Sequence, residues 1–397
     1  MLSRAVNSIT GSDKGKSEKK LYVAFLIFFL YPIFRDILPM SDVFWVFSIA
    51  AGLFTCVYRF NPRIVITPFS VLWLVLAMMA LGSFLILGPD NTVLPKRMGL
   101  FLMSMLMMVL LGKDRRWIQP ALMACLTLLT VHAVATIVLN TMPSLYGKYV
   151  SPVIQGTSVT VIGPKAGITS HYSYNGQFMA IGLLISYVIF RMSPLRNRNK
   201  SDRIKFGAVT FLFLISLLLT TKRTPLLICL LAIVLTEYLL AAKGKAIILF
   251  KILAVAFFLG ILIIAFGDRI PLLSNVMERL SVFFTASTLE ESTTGRTFLW
   301  DRAIQLWNEN PIFGSGWGTY RYYWNNGYQG ISIAAHNVFL QLLAEVGIVG
   351  LIIFLIPSLQ VLFGLTKSVL RLTRSKDRQY DFIDAAVLFA FLFQLYF

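Results

Sequence analysis

Two adjacent cations, Lys222 and Arg223, interrupt the apolar run LLTTKRTPLLICLL at a hairpin with almost no loop. Charge that close to hydrocarbon is costly, and two readings account for it. Either the side chains snorkel to lipid headgroups, or they form a partly buried anion site. A second candidate lies in TTGRTFLWDRAIQLWNENP, which reads as a helix capped by Thr293 or Thr294 and stopped by Pro311. Arg296 opens this helix, where the backbone dipole already favours an anion. Arg302 and Arg321 are weaker candidates, because arginines at a surface are common. Of the three histidines, His132 lies inside an apolar run and reads as an interior residue. His171, in GITSHYSYNG, and His336, in SIAAHNVFLQLLAEVGIVG, each precede an apolar run and are placed to line a site. No HxxxH spacing or neighbouring cysteine gives them a metal-ligand pattern. The glycines of FGSGWGT, Gly314, Gly316 and Gly318, allow a close backbone approach or simply a turn.

The elements that must position these residues are membrane spans. The chain of 397 residues is 57% hydrophobic and 14% charged, against about 45–50% and about 25% in ordinary soluble domains. Windows of about 20 apolar residues fall at 20–38, 43–58, 65–88, 97–112, 117–140, 174–191, 206–221, 224–242, 246–266, 337–365 and 382–397. The predicted fold is therefore all-α, a polytopic bundle of about eleven to twelve spans. The first apolar run leads into further spans rather than a small-residue cleavage site, so no signal peptide is expected. Cys56, Cys125 and Cys229 lie in apolar runs and read as small core residues.

Orientation follows from lysine and arginine. Most of the 36 basic residues fall in the N-terminal tail and in the segments after spans two, four, six, eight and ten. That pattern places the N-terminus in the cytoplasm. It also explains the net charge of +18 without nucleic acid as a partner. The organisation that results is N-terminal spans over 1–140, an outward loop over 141–173 and central spans over 174–266. A large outward loop over 267–336, with a short amphipathic helix, and C-terminal spans over 337–397 complete it. Within the loop helix, Phe298, Leu299, Ile304 and Trp307 are expected to form much of one apolar face, lying along the interface or roofing a cavity.

Three stretches together resemble the O-antigen ligase family and its relatives, the bacterial polysaccharide polymerases. LTTKRTPLLICL is similar to the family's arginine at a periplasmic hairpin, with Arg223 followed by Leu227. TGRTFLWDRAIQLWNENPIFGSGWGTY resembles the shared periplasmic loop, with its Gly-Arg start and Asn-Pro-x-x-Gly close. HNVFLQLLAEVGIVG resembles the ligase signature, with His336 and Asn337 ahead of Gly347 and Gly350. The resemblance covers roughly 165–360. It implies a glycosyltransferase at the periplasmic face of the bacterial inner membrane. The donor would be a polysaccharide on undecaprenyl diphosphate and the acceptor the lipid A-core, among membrane lipids. Arg223 and Arg296 would bind the diphosphate and His336 would be the general base. Lys222, Arg302, Arg321, His171 and Asn337 would contribute to substrate binding. No cofactor or metal is expected, since arginines suit a diphosphate leaving group and no DxD-like motif lies outside. A polymerase extending a lipid-linked glycan is the first alternative, and a non-enzymatic polysaccharide exporter the second.

Overall fold

A computed structural model describes residues 14–38, 41–59, 66, 68–87, 93–111, 117–154, 163–192, 200–240, 247, 250, 254, 261, 296–320 and 334–371. The chain is an all-α polytopic membrane protein, and no strand occurs among the described residues. Its principal helices are α1 (Lys14–Phe34), α2 (Ser41–Tyr58), α3 (Pro68–Leu87), α4 (Val93–Leu111) and α5 (Ile118–Thr141). They continue with α6 (Tyr172–Met192), α7 (Lys200–Leu219), α8 (Arg223–Leu240), α9 (Arg296–Glu309) and α10 (Val338–Arg371). Every predicted span that falls on described residues coincides with one of these helices. The windows at 246–266 and 382–397 lie, but for scattered positions, outside the described residues. Among those described, Ile118–Thr141, Tyr172–Phe190 and Val338–Gln360 are long and apolar enough to cross a bilayer.

The chain divides into two compact units, each assembled from non-consecutive segments. The first holds Met1–Tyr58, Lys113–Met277 and Leu365–Phe391. In it α1 packs on α2 and α5, while α6 packs on α5, α7 and α8. Polar side chains within these helices bond to their own backbone one turn earlier, as hydrocarbon requires. Thr127 and Thr130 donate to the carbonyls of Met123 and Leu126 at 2.8 and 2.7 Å. His132 is an interior residue as expected, with Nε2 2.9 Å from the Ile33 carbonyl oxygen and its ring against Phe34 and Phe178. The cysteines are unpaired, and Cys56 and Cys229 are buried.

The second unit holds Arg59–Gly112, Glu278–Gly364 and Leu392–Phe397. Here α3 packs on α4, and Trp317 inserts against Ala77, Ala80 and Met98 of those two helices. The predicted loop helix exists as α9, and it ends just before Pro311 as expected. Its predicted cap, Thr293 or Thr294, lies outside the described residues. Its buried face shares only Leu299 with the apolar residues singled out in the sequence. The buried stripe is Leu299, Ala303 and Leu306, spaced i, i+4, i+7. Phe298 and Ile304 are 49% and 39% exposed. Small Ala303 faces the core because Tyr320, Ala335 and Ala344 approach there, which a bulkier residue would prevent.

Candidate functional site

In the first unit the candidates gather at one end of the bundle. The α7–α8 hairpin turns through Thr221, whose φ of 55° lies in the left-handed region. A β-branched residue pays strain there. Lys222 and Arg223 follow at once, with Arg223 as the first residue of α8. The hairpin presses on α6: a Cβ at Gly176 would stand 3.1 Å from that of Lys222. The Lys222 ammonium lies 4.0 Å from the centre of the Tyr172 ring. On that ring His171 stacks at 4.3 Å, and His171 also meets Tyr174 edge-on at 6.1 Å.

The segment that delivers His171 is pinned on both sides. Asn140 donates to the Pro164 carbonyl at 2.9 Å, and Asn175 donates to Thr136 Oγ1 and the Lys165 carbonyl at 3.0 and 3.1 Å. Gly167 has φ 59°, and a Cβ there would fall 2.6 Å from Thr136 Oγ1, so only glycine fits. Asp36 closes the arrangement. Its Oδ2 accepts the Ser170 N–H at 2.7 Å, and its Oδ1 accepts from Arg35 Nε at 3.3 Å. The Arg35 guanidinium in turn lies 5.3 Å from the centre of the Tyr174 ring. Arg35 and Asp36 were not singled out as site residues from the sequence. Two charges at the end of an apolar helix were the available signal.

His171 accepts the Ser173 N–H on Nδ1 at 3.1 Å, so its neutral form carries the proton on Nε2. Burial, and then the charge of Lys222, hold its pKa below the ordinary value of 6.5. A depressed histidine pKa means the unfolded chain binds more protons than the folded one. Its contribution to stability is therefore complete above about pH 6.5 and is lost as pH falls below that. His171→Asn keeps a side-chain acceptor for Ser173 without a titrating ring. Thermal unfolding in detergent should show the wild type losing more stability between pH 7.5 and 5.5 than this variant. Equal losses would remove His171 as the titrating group.

In the second unit the candidates are organised by Tyr320. Its hydroxyl donates to the Leu299 carbonyl in the first turn of α9 at 2.8 Å, while its ring packs with Ala335 and Ala344. The turn that begins with Arg296 and the residue before His336 are thereby tied to one buried side chain. Burial pushes the Tyr320 phenol up to about 12, with Arg302 lowering it and Glu345 raising it, so it remains a donor at neutral pH. Sequence reasoning passed over this tyrosine, and also Glu345, which is 3% exposed and accepts from Gln341 Nε2 at 3.2 Å.

His336 is exposed at the start of α10, in the left-handed region with φ 53°. Asn337 caps α10: its side-chain oxygen accepts the N–H groups of Phe339 and Leu340 at 3.0 and 3.2 Å. Arg296 is partly buried at the head of α9, and Arg302 donates to Gln305 at 3.2 Å. Arg321 lies outside the described residues. The structure thus brings His171, Lys222 and the start of α8 together in one unit, and Arg296 and His336 onto one scaffold in the other.

That scaffold depends on a break in α10 at Gly347, where φ is 67° and ψ −170°. The carbonyls of Ala344 and Glu345, orphaned by the break, accept from Ser315 and Gly316 N–H at 2.9 Å each. The N–H groups of Ile348 and Val349 donate to the carbonyls of Pro311 and Ile312 at 3.0 and 3.2 Å. The chain after α9 is therefore laced backbone to backbone into the broken helix. The contact is too close for a side chain on either strand. A Cβ at Gly314 would lie 2.4 Å from the Glu345 carbonyl carbon, and one at Gly347 2.3 Å from the Ile312 oxygen.

Comparison with known proteins reaches the same residues. Positions 208–355, from α7 through the break in α10, match a family model described as O-antigen ligase. The exopolysaccharide production protein ExoQ of Rhizobium meliloti (strain 1021) is 29% identical over 123 residues. That stretch is 28% of this chain and 27% of the relative, so the match spans about a quarter of the relative's length. Residues 208–355, which contain Arg223, Arg296 and His336, are thus the part of this chain that is similar to the O-antigen ligase family.

Proposed function

We propose that the protein is a glycosyltransferase that moves a polysaccharide from undecaprenyl diphosphate to the lipid A-core, at the periplasmic face of the bacterial inner membrane. The anomeric carbon–oxygen bond to the diphosphate breaks, and a bond from an acceptor hydroxyl to that carbon forms. His336 takes the hydroxyl proton, for which an imidazole is suited near neutral pH. Arg223 and Arg296 take up the charge of the departing diphosphate, with Lys222, His171, Arg302 and Arg321 as further contacts. A single displacement inverts the anomeric centre.

One observation supports this reading above the others. Among the described residues, the two non-glycine positions with positive φ are Thr221 and His336. They lie at two of the three segments to which the family resemblance assigns the chemistry. Strained backbone of this kind concentrates at functional sites, because something other than stability retains it. A polymerase that extends a lipid-linked glycan is the second reading, and the similarity to an exopolysaccharide production protein favours it.

Purified protein given lipid-linked O-antigen, with either lipid A-core or further lipid-linked glycan, separates the two. Transfer to lipid A-core is expected. Chain growth without it would favour the polymerase, and glycan movement across vesicles without any transfer would favour an exporter. A product with retained anomeric configuration would exclude the single displacement.

A further inference from the structure

Arg35 has no role in the transfer step proposed for His336, Arg223 and Arg296, and the sequence resemblance does not reach it. We infer that Arg35 is a further phosphate-binding residue, acting with Lys222 on the ring cluster of His171, Tyr172 and Tyr174. The ligand class is a membrane-borne diphosphate. The inference rests on the proposed function for the identity of that lipid, but it concerns binding alone.

The geometry carries it in three steps. First, two cations occupy one ring cluster, Lys222 on Tyr172 at 4.0 Å and Arg35 on Tyr174 at 5.3 Å. Ring faces hold cations in place without neutralising them. Second, the carboxylate beside Arg35 is divided between two partners. Asp36 meets Arg35 through Nε at 3.3 Å and spends its other oxygen on the Ser170 N–H at 2.7 Å. The pair therefore orients the guanidinium without the two-pronged contact that a carboxylate and arginine make when they satisfy each other. Third, fastening Ser170 needs only Asp36, so a structural pin gives no reason for an arginine beside it. Arg35 retains 28% side-chain exposure, enough to meet a ligand while its stem stays packed. Two cations set on a rigid ring cluster match the doubly charged head of a diphosphate, for which an arginine fork is suited.

The rival is a side chain that merely snorkels to headgroups. The full-length protein in phosphatidylcholine nanodiscs tests this by binding of undecaprenyl diphosphate, dioleoylphosphatidylglycerol and inorganic pyrophosphate. Arg35→Gln should bind undecaprenyl diphosphate about tenfold more weakly, the loss expected for one charge-assisted contact. Its affinity for phosphatidylglycerol should not change. Wild-type affinity for the diphosphate lipid in Arg35→Gln overturns the inference. So does an equal loss for phosphatidylglycerol, which would mark a headgroup anchor. Pyrophosphate bound as tightly as the lipid supports the site and moves its ligand from the membrane to solution. Should Arg35→Gln fail to fold, Tyr174→Leu removes the ring that places the guanidinium. Unchanged lipid affinity there overturns the inference equally. Loss of binding in Arg35→Gln, with no glycan transfer by the wild type, would sink the transferase reading and leave this one standing.

Discussion

Replacement of His336 by asparagine is expected to lower glycan transfer by about 10²- to 10⁴-fold, the range for removal of a general base, with little change in thermal stability. Asparagine is the informative substitute because it tolerates the left-handed conformation that His336 adopts at φ 53°. His336→Ala should lose the same activity and also cost about 1 kcal/mol of stability, since alanine has no local compensation in that region. Transfer rates and thermal unfolding of both variants, set beside the wild type, separate the chemical role from the backbone role. Full activity in His336→Asn would show that the imidazole is not the base.

Gly347→Ala should be the most damaging conservative change in the second unit. The new Cβ would fall 2.3 Å from the Ile312 oxygen, 2.4 Å from its carbonyl carbon and 2.6 Å from the Gly314 nitrogen. All three are backbone atoms, so no rotamer change can relieve the contact. The φ and ψ of 67° and −170° are themselves a glycine conformation. Strain and overlap together should cost about 3 kcal/mol or more. The expected readout is a lowered unfolding temperature, with residues 296–320 newly open to protease. Gly364→Ala, also on α10, is the control: a Cβ there would meet nothing within 4 Å, and alanine gains up to about 1 kcal/mol of helix propensity. Similar stability in the two variants would show that the laced contact at Gly347 is not what holds α9 and α10 together.

The helices were legible in the sequence because a span must carry a long, nearly uninterrupted apolar run, and that signal is local. The stop of α9 was legible for a similar reason, since Pro311 acts on its own neighbourhood. What the residues 296–309 bury was not. Phe298 and Ile304 read as part of an apolar face along the interface or over a cavity. That Ala303 belongs to the buried face depends on Tyr320, Ala335 and Ala344, which come from later in the chain. Lys222 and His171 could be named from their types, but not the ring cluster that joins them, which needs the fold of residues 163–171. Arg35 and Asp36 escaped notice for the same reason. Their meaning depends on Ser170, 134 positions beyond Asp36. Gly314 and Gly347 were visible as punctuation. That each is fitted to the other's backbone follows only from their contact.

The break in α10 also bears on how the protein is made. A span normally satisfies its own backbone, and each polar group left open in hydrocarbon costs several kcal/mol. Here four such groups are satisfied by residues 311–316, which leave the ribosome before the broken helix does. The segment before the break, Val338–Val346, is too short to cross alone. The broken helix thus relies on the preceding loop to complete its backbone hydrogen bonds. A defect in that loop should therefore destabilise the helix as well as the loop. The residues that shape the candidate site thus also complete the helix beside it.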